Sequence, residues 1–224
     1  MPAPSPQHKP NQHQSETPSG AQRRVLWVAL GVVLVAVVAV VIVVVATGGS
    51  NSPKYITLIQ VQPVTINGDP LPVPEAGAPD GAAGHVVPRI DGRTFGSRRI
   101  SIQPGKPTLV IAINRADPDV EGEVQAIVRW HHADQTPQTL NVVTLVTGPG
   151  RAAAADPVSS WLVREEWPFP VLVDDDNSSA ASSLGLPTTP AILLVDAKGV
   201  AQYRVLGALP VDRLVQELKN RLGL

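Results

Sequence analysis

The sequence predicts an α/β fold: a central mixed sheet flanked by helices, with an N-terminal hairpin extension, preceded by one transmembrane helix. Three observations carry that prediction. Residues 25–46 form an uninterrupted apolar run. From about residue 85 onward, short β-branched runs alternate with segments of helical spacing, the pattern of layered α/β domains. Near the end, two strand-like runs flank Asp196-Ala197-Lys198-Gly199, and an amphipathic segment closes the chain.

The apolar run holds 22 residues without a charge, twelve of them Val. At about 1.5 Å per residue it reaches roughly 33 Å as a helix, enough for a hydrocarbon core of about 30 Å. Valine favours strands, but lipid offers no hydrogen-bond partners, so an isolated span satisfies its backbone internally as a helix. The apolar core of a cleavable signal peptide is shorter, about 7–15 residues, and no Ala-x-Ala pattern follows the run. Arg23 and Arg24 precede it and only Lys54 lies near its far side. The positive-inside tendency then keeps residues 1–24 in the cytoplasm and exports residues 47–224, with membrane lipid contacted through residues 25–46.

The rest divides by composition. Residues 1–24 are rich in Pro, Gln, Ser and His and are expected to be a disordered cytoplasmic tail, in which His8 and His13 are solvated rather than metal ligands. Residues 47–84 read as a linker with a short strand segment, because 55–66 is β-branched while 69–84 is dense in Pro, Gly, Ala and Asp. Residues 85–224 are the folded domain. Residues 86–102 predict two strands around an Asp91-Gly92-Arg93 turn. Residues 108–113 form an apolar run without alternation, expected of a strand buried on both faces. Residues 117–132 follow as a helix with Val120, Val124, Ile127, Val128 and Trp130 at helical spacing, then 140–146 as another central strand. Asp156-Pro157 starts a helix running to about 166, and 171–173 is a short strand. The hairpin 191–206 leads to an amphipathic helix, 212–222, carrying Leu214, Val215, Leu218 and Leu222.

Composition excludes several function classes. A formal net charge of -1 with scattered Lys and Arg offers no face for a phosphate backbone, so no nucleic-acid partner is expected. The chain has no cysteine. Disulfides, thiolate nucleophiles, cysteine zinc sites and iron–sulfur clusters are thereby excluded. No phosphate loop, dinucleotide fingerprint or serine elbow occurs, and no cofactor is expected.

Several local sequences, in order, resemble the membrane-anchored TlpA/ResA-like branch of thioredoxin-like (redoxin) proteins. Gly77-Ala78-Pro79-Asp80 is similar to that branch's entry motif, and Ile90-Asp91-Gly92-Arg93 to its leading hairpin turn. Pro104-Gly105-Lys106-Pro107-Thr108-Leu109-Val110 resembles the approach to its first central strand. Trp167-Pro168-Phe169-Pro170-Val171-Leu172-Val173-Asp174 is similar to its FPVL-D segment. Leu184-Gly185-Leu186-Pro187-Thr188-Thr189-Pro190, leading into Ala191-Ile192-Leu193-Leu194-Val195-Asp196, is the strongest piece. Together these cover roughly residues 75–224. The resemblance implies a thioredoxin-like domain with a cis bond before Pro190, facing the active site.

The resemblance also implies a Trp-Cys-Pro-x-Cys motif followed by Glu after the first central strand. Here stand Ala116-Asp117-Pro118-Asp119-Val120 and Glu123, with Asp117 and Val120 where the nucleophilic and resolving cysteines are expected. Thiol–disulfide exchange needs a thiolate attacking sulfur, a reaction no carboxylate performs. Asp117 reads first as a helix N-cap; secondarily, Asp117 or Asp119 is a catalytic candidate, and Asp117, Asp119 and Glu121 are candidate cation ligands. His131-His132 lies roughly 21 Å along the same helix from Asp117, too far to share a metal. Asp174-Asp175-Asp176-Asn177 lacks the Gly and Glu of a calcium loop and reads as a solvated turn capping a short helix. No catalytic or metal residue is assigned. The expected function is that of a membrane-anchored extracytoplasmic module without thiol redox activity, not an enzyme, binding an exported protein or peptide in a groove beside Thr189 and Pro190. The alternatives are an enzyme with non-thiol chemistry at the degenerate loop and a structural envelope-assembly subunit.

Overall fold

The computed structural model describes residues 60–75, 77–148 and 156–224. The expected tail, transmembrane helix and first part of the linker lie outside the described residues. Among the described residues no helix is long and apolar enough to cross a membrane.

The elements run β1 (Thr65–Asn67), β2 (Arg89–Arg93), β3 (Arg99–Ile102), β4 (Thr108–Ile113), α1 (Val120–His132), β5 (Asn141–Val146), α2 (Val158–Arg164), β6 (Val171–Val173), α3 (Ser179–Ser183), β7 (Ala191–Val195), β8 (Ala201–Leu206) and α4 (Val211–Glu217), which continues into a π-helical turn at Leu218–Leu222. They form one eight-stranded sheet in the order β1-β2-β6-β5-β4-β7-β8, with β3 paired to β2. β4 sits at its centre, parallel to β5 and antiparallel to β7. All six residues of β4 are buried, which is why its sequence is apolar without alternation.

Alternation reappears in which core each residue enters. Val110 and Ala112 of β4, with Ala191, Leu193 and Val195 of β7, face one cluster shared with Ile90, Ile102, Leu172 and Leu184. Leu109, Ile111 and Ile113, with Ile192 and Leu194, face the other, where the helices pack. There α1 contributes Val120, Val124, Ile127 and Trp130, one stripe at helical spacing, and α4 contributes Leu214. Glu121 in the first turn of α1 and Arg129 in its last turn complement the helix dipole.

The described part of the segment expected as linker, from residue 60, is packed into this structure. β1 pairs with β2, and Leu71 and Ala82 are buried in the first core cluster. Asp80 meets Arg204, whose side chain is 1% exposed and which also donates to the Leu184 and Gly185 carbonyls.

Four local expectations are corrected. The β2–β3 turn spans residues 94–98, where the Thr94 N–H donates to the Arg98 carbonyl and Thr94 Oγ1 accepts the Arg98 N–H. Asp91-Gly92 lies inside β2, because a Cβ on Gly92 would come within 3.0 Å of Leu172; close approach, not a turn, requires that glycine. Asp156 caps nothing at α2: its carboxylate pairs with Arg164 and Arg115, whereas Pro157 occupies the N-cap position. Asp174 is fully buried rather than solvated, and its carboxylate accepts the N–H groups of Asp175, Ala180 and Ala181, tying the end of β6 to α3. Val215 is 41% exposed, since the core-facing positions of α4 and its π turn are Leu214 and Leu218.

Candidate functional site

The loop joining β4 to α1 and the loop entering β7 lie side by side at one end of the central strands. In the first, Asn114 Oδ1 accepts the Ala116 N–H at 3.0 Å and its carbonyl accepts the Asp117 N–H at 2.9 Å, turning the chain sharply after β4. Pro118 follows, with no N–H to satisfy. Asp117 then folds its Oδ1 onto the Asp119 N–H at 3.0 Å, an Asx turn.

Asp117 is therefore not the helix N-cap. α1 begins at Val120 with Asp119 at the cap position, and no side chain caps it. The second oxygen of Asp117 instead reaches the other loop: Thr189 Oγ1 donates to Oδ2 at 3.1 Å. The Thr189–Pro190 bond is cis, as the resemblance implied. Pro190 is buried and Thr189 half-buried, while Pro187 and Thr188 are exposed. Among the described residues, no backbone hydrogen bond engages Thr188 or Thr189.

The remaining predicted positions separate. Ala116, Pro118 and Asp119 are exposed on the rim. Val120 is 0% exposed and belongs to the helix-side core. Glu123, one turn on, is 5% exposed; its Oε2 accepts the Leu209 N–H at 3.2 Å, while Oε1 is buried without a partner among the described residues. Burial pushes its carboxyl up to about 7, against the opposing pull of the Leu209 N–H. The structure thus joins Asp117 to Thr189 and Pro190, and turns Val120 and Glu123 inward.

Sequence reasoning missed three contributors: Asn114, which turns the loop; Leu209, which holds Glu123; and Arg115. The Arg115 guanidinium lies 4.7 Å from the Trp161 ring centroid and faces Glu121 at 3.7 Å and Asp156 at 3.6 Å, bracing the loop against α2. Asn114 carried a usable signal, since Asn directly after a buried strand favours such turns. The other two depend on residues distant in sequence. Among the described residues no group of His, Asp and Glu has the arrangement of a metal site.

In chemical terms the pair is a hydroxyl held by a carboxylate beside exposed backbone, with no cysteine anywhere in the chain. Both Asp117 oxygens are already engaged as acceptors, which suits a loop-locking role.

No protein-family model matches the chain, and no curated protein matches it in sequence. Solved structures do match. A DsbF homologue from Corynebacterium diphtheriae is 15% identical with a TM-score of 0.55, the match covering 68% of this chain and 99% of that one. A thiol:disulfide interchange protein from Bacteroides sp. is 16% identical with a TM-score of 0.51, covering 64% and 91% respectively. At this identity the likeness is one of fold: the chain carries a thioredoxin-like domain without the cysteines of a thiol redox centre.

Proposed function

We propose that the chain is a membrane-anchored, extracytoplasmic thioredoxin-like module that binds a protein or peptide and performs no thiol chemistry. The observation that carries this reading is the Thr189–Asp117 hydrogen bond at 3.1 Å, beside backbone at Thr188 and Thr189 that pairs with nothing within the domain among the described residues. Backbone left unpaired in this way can accept hydrogen bonds from a partner's extended segment, the peptide supplying the missing partners. Losing the sulfurs removes the reaction but leaves this edge in place. Display outside the membrane rests on the apolar run at residues 25–46 and on Arg23 and Arg24 before it.

A photo-crosslinking residue at exposed Ala116, in the full chain in cells, tests the groove. Discrete adducts with an exported protein are expected, and they are lost in Asp117→Ala and Thr189→Ala. Adducts indifferent to both substitutions refute the groove. Substrate turnover abolished by Asp117→Asn establishes the enzymatic alternative. Silent groove variants, with function lost only on deleting residues 25–46, establish a structural subunit.

A further inference from the structure

The face of β1, β2 and β3 turned away from the core concentrates charge that is dispersed in sequence. Strand alternation sends Ile90 and Ile102 into the core and sends Arg89, Asp91 and Arg93 of β2 the other way. The register sets Arg99 directly opposite Arg93, and Ser101 and Thr65 opposite Asp91 on its two sides. These six side chains line an open recess of about 490 Å³.

Two features separate this recess from an ordinary solvated sheet face. Like charges directly opposite each other across two strands are destabilising, yet Arg93 and Arg99 hold that relation. Among the described residues that line the recess, one acid offsets the three guanidiniums, leaving two positive charges in excess, and that acid is committed. Arg89 donates to both Asp91 oxygens at 2.8 and 2.9 Å and Ser101 Oγ donates at 2.5 Å. These bonds hold the Asp91 carboxyl down to about 2, so it stays ionised and the imbalance persists at every physiological pH. Arg93 is pinned by one donated bond to the Ser97 carbonyl at 2.9 Å, and Arg99 makes no hydrogen bond among the described residues. Their remaining N–H donors are unspent.

We propose that this recess binds a phosphate group, with Arg93 and Arg99 as its principal donors and Arg89, fixed by Asp91, as the third. Planar guanidinium forks match phosphate oxygens in pairs, and a phosphate dianion neutralises the two excess charges while relieving the Arg93–Arg99 repulsion. Such a group is carried equally by a soluble phosphate compound and by the headgroup of an anionic lipid. The recess is on β1–β3, not on the Asp117–Thr189 loops, and does not depend on the peptide-binding reading.

Hydrogen–deuterium exchange across residues 89–102 of the full chain tests it. One arm titrates inorganic phosphate against sodium chloride of equal ionic strength. The other compares nanodiscs of phosphatidylglycerol with nanodiscs of phosphatidylcholine. Protection in the phosphate arm assigns a soluble ligand sufficient by itself; protection in the nanodisc arm alone assigns the lipid headgroup. In either case the half-saturating concentration is expected to rise about tenfold in Arg93→Ala and in Arg99→Ala, in line with one charged hydrogen-bonding group lost. Arg99→Lys, which keeps the charge and the sheet, falls between. No protection beyond chloride or phosphatidylcholine, or alanine variants that respond like the parent, overturns the proposal.

Discussion

Glu123 makes the stability of this domain depend on pH in a direction opposite to that of most surface carboxylates. Its side chain is 5% exposed, with one oxygen on the Leu209 N–H and the other unpartnered among the described residues. Burial raises its carboxyl from 4.5 to about 7 in the folded chain. Below pH 4.5 both folded and unfolded chains hold the proton and the full stability is present. As pH rises, the unfolded chain releases its proton first, and the folded state loses about 1.4 kcal/mol per pH unit until its own carboxyl ionises near 7. Over that window the loss attributable to Glu123 is about 3 kcal/mol, after which it is constant.

Glu123→Gln isolates this effect. The amide oxygen still accepts the Leu209 N–H but no longer titrates. The stray buried NH₂ adds a pH-independent cost of about 1–3 kcal/mol, which cancels when stabilities are compared between pH values. Urea unfolding of parent and variant at pH 5, 6, 7 and 8 gives the comparison. The variant's stability relative to the parent is expected to rise by about 2–3 kcal/mol from pH 5 to pH 8, most of it below pH 7.5. Parallel profiles for parent and variant would refute the assignment of a raised carboxyl to Glu123.

Two further perturbations probe other parts of the same frame. Gly185→Ala places a methyl 2.2 Å from the Arg204 guanidinium and 2.7 Å from the Pro72 carbonyl oxygen at φ +61, so urea unfolding should show a loss of about 3 kcal/mol or more as the Arg204–Asp80 pair is displaced. Gly207→Ala, at φ +95 with open space around it, is the control at about 1–2 kcal/mol, and equal losses would refute the packing account. Asp117→Cys/Val120→Cys should form one reducible disulfide detectable by mass, at a stability cost of about 2 kcal/mol in the reduced state. Two free thiols that never pair under oxidant would refute the placement of these positions in the expected motif.

The central sheet was legible because burial on both faces makes β4, β5 and β7 predominantly apolar, with Thr108 and Thr144 the buried polar exceptions among the described residues, and those runs announce themselves. The helix spacing of Val120, Val124, Ile127 and Trp130 was legible for the same reason. Polar anchors were harder. Asp174 and Asp156 look alike in sequence, each beside a turn, yet one is sealed under α3 and the other joins surface arginines. Gly92 carries the marks of a turn glycine, and only the nearness of Leu172 reveals why no side chain fits there. Arg204 and Asp80 lie 124 residues apart, and no local pattern links them. The loops of the candidate site were located through the resemblance. The Thr189–Asp117 bond itself spans 72 residues and became visible only with the fold. The recess on β1–β3 was invisible for a different reason: a net charge of -1 over the chain conceals three arginines that strand pairing gathers on one face.

The burial of Val120 bears on the evolutionary future of this domain. A working dithiol needs two sulfurs at once, and a lone cysteine at either position completes no cycle. Replacing Val120 alone opens a gap in a fully enclosed core, and replacing Asp117 alone unfastens the two loops, each at about 1 kcal/mol. Each single-cysteine intermediate on the way to a dithiol is therefore weaker than the present domain and gains no compensating reaction. The enclosed valine acts as a ratchet against the stepwise arrival of such a pair.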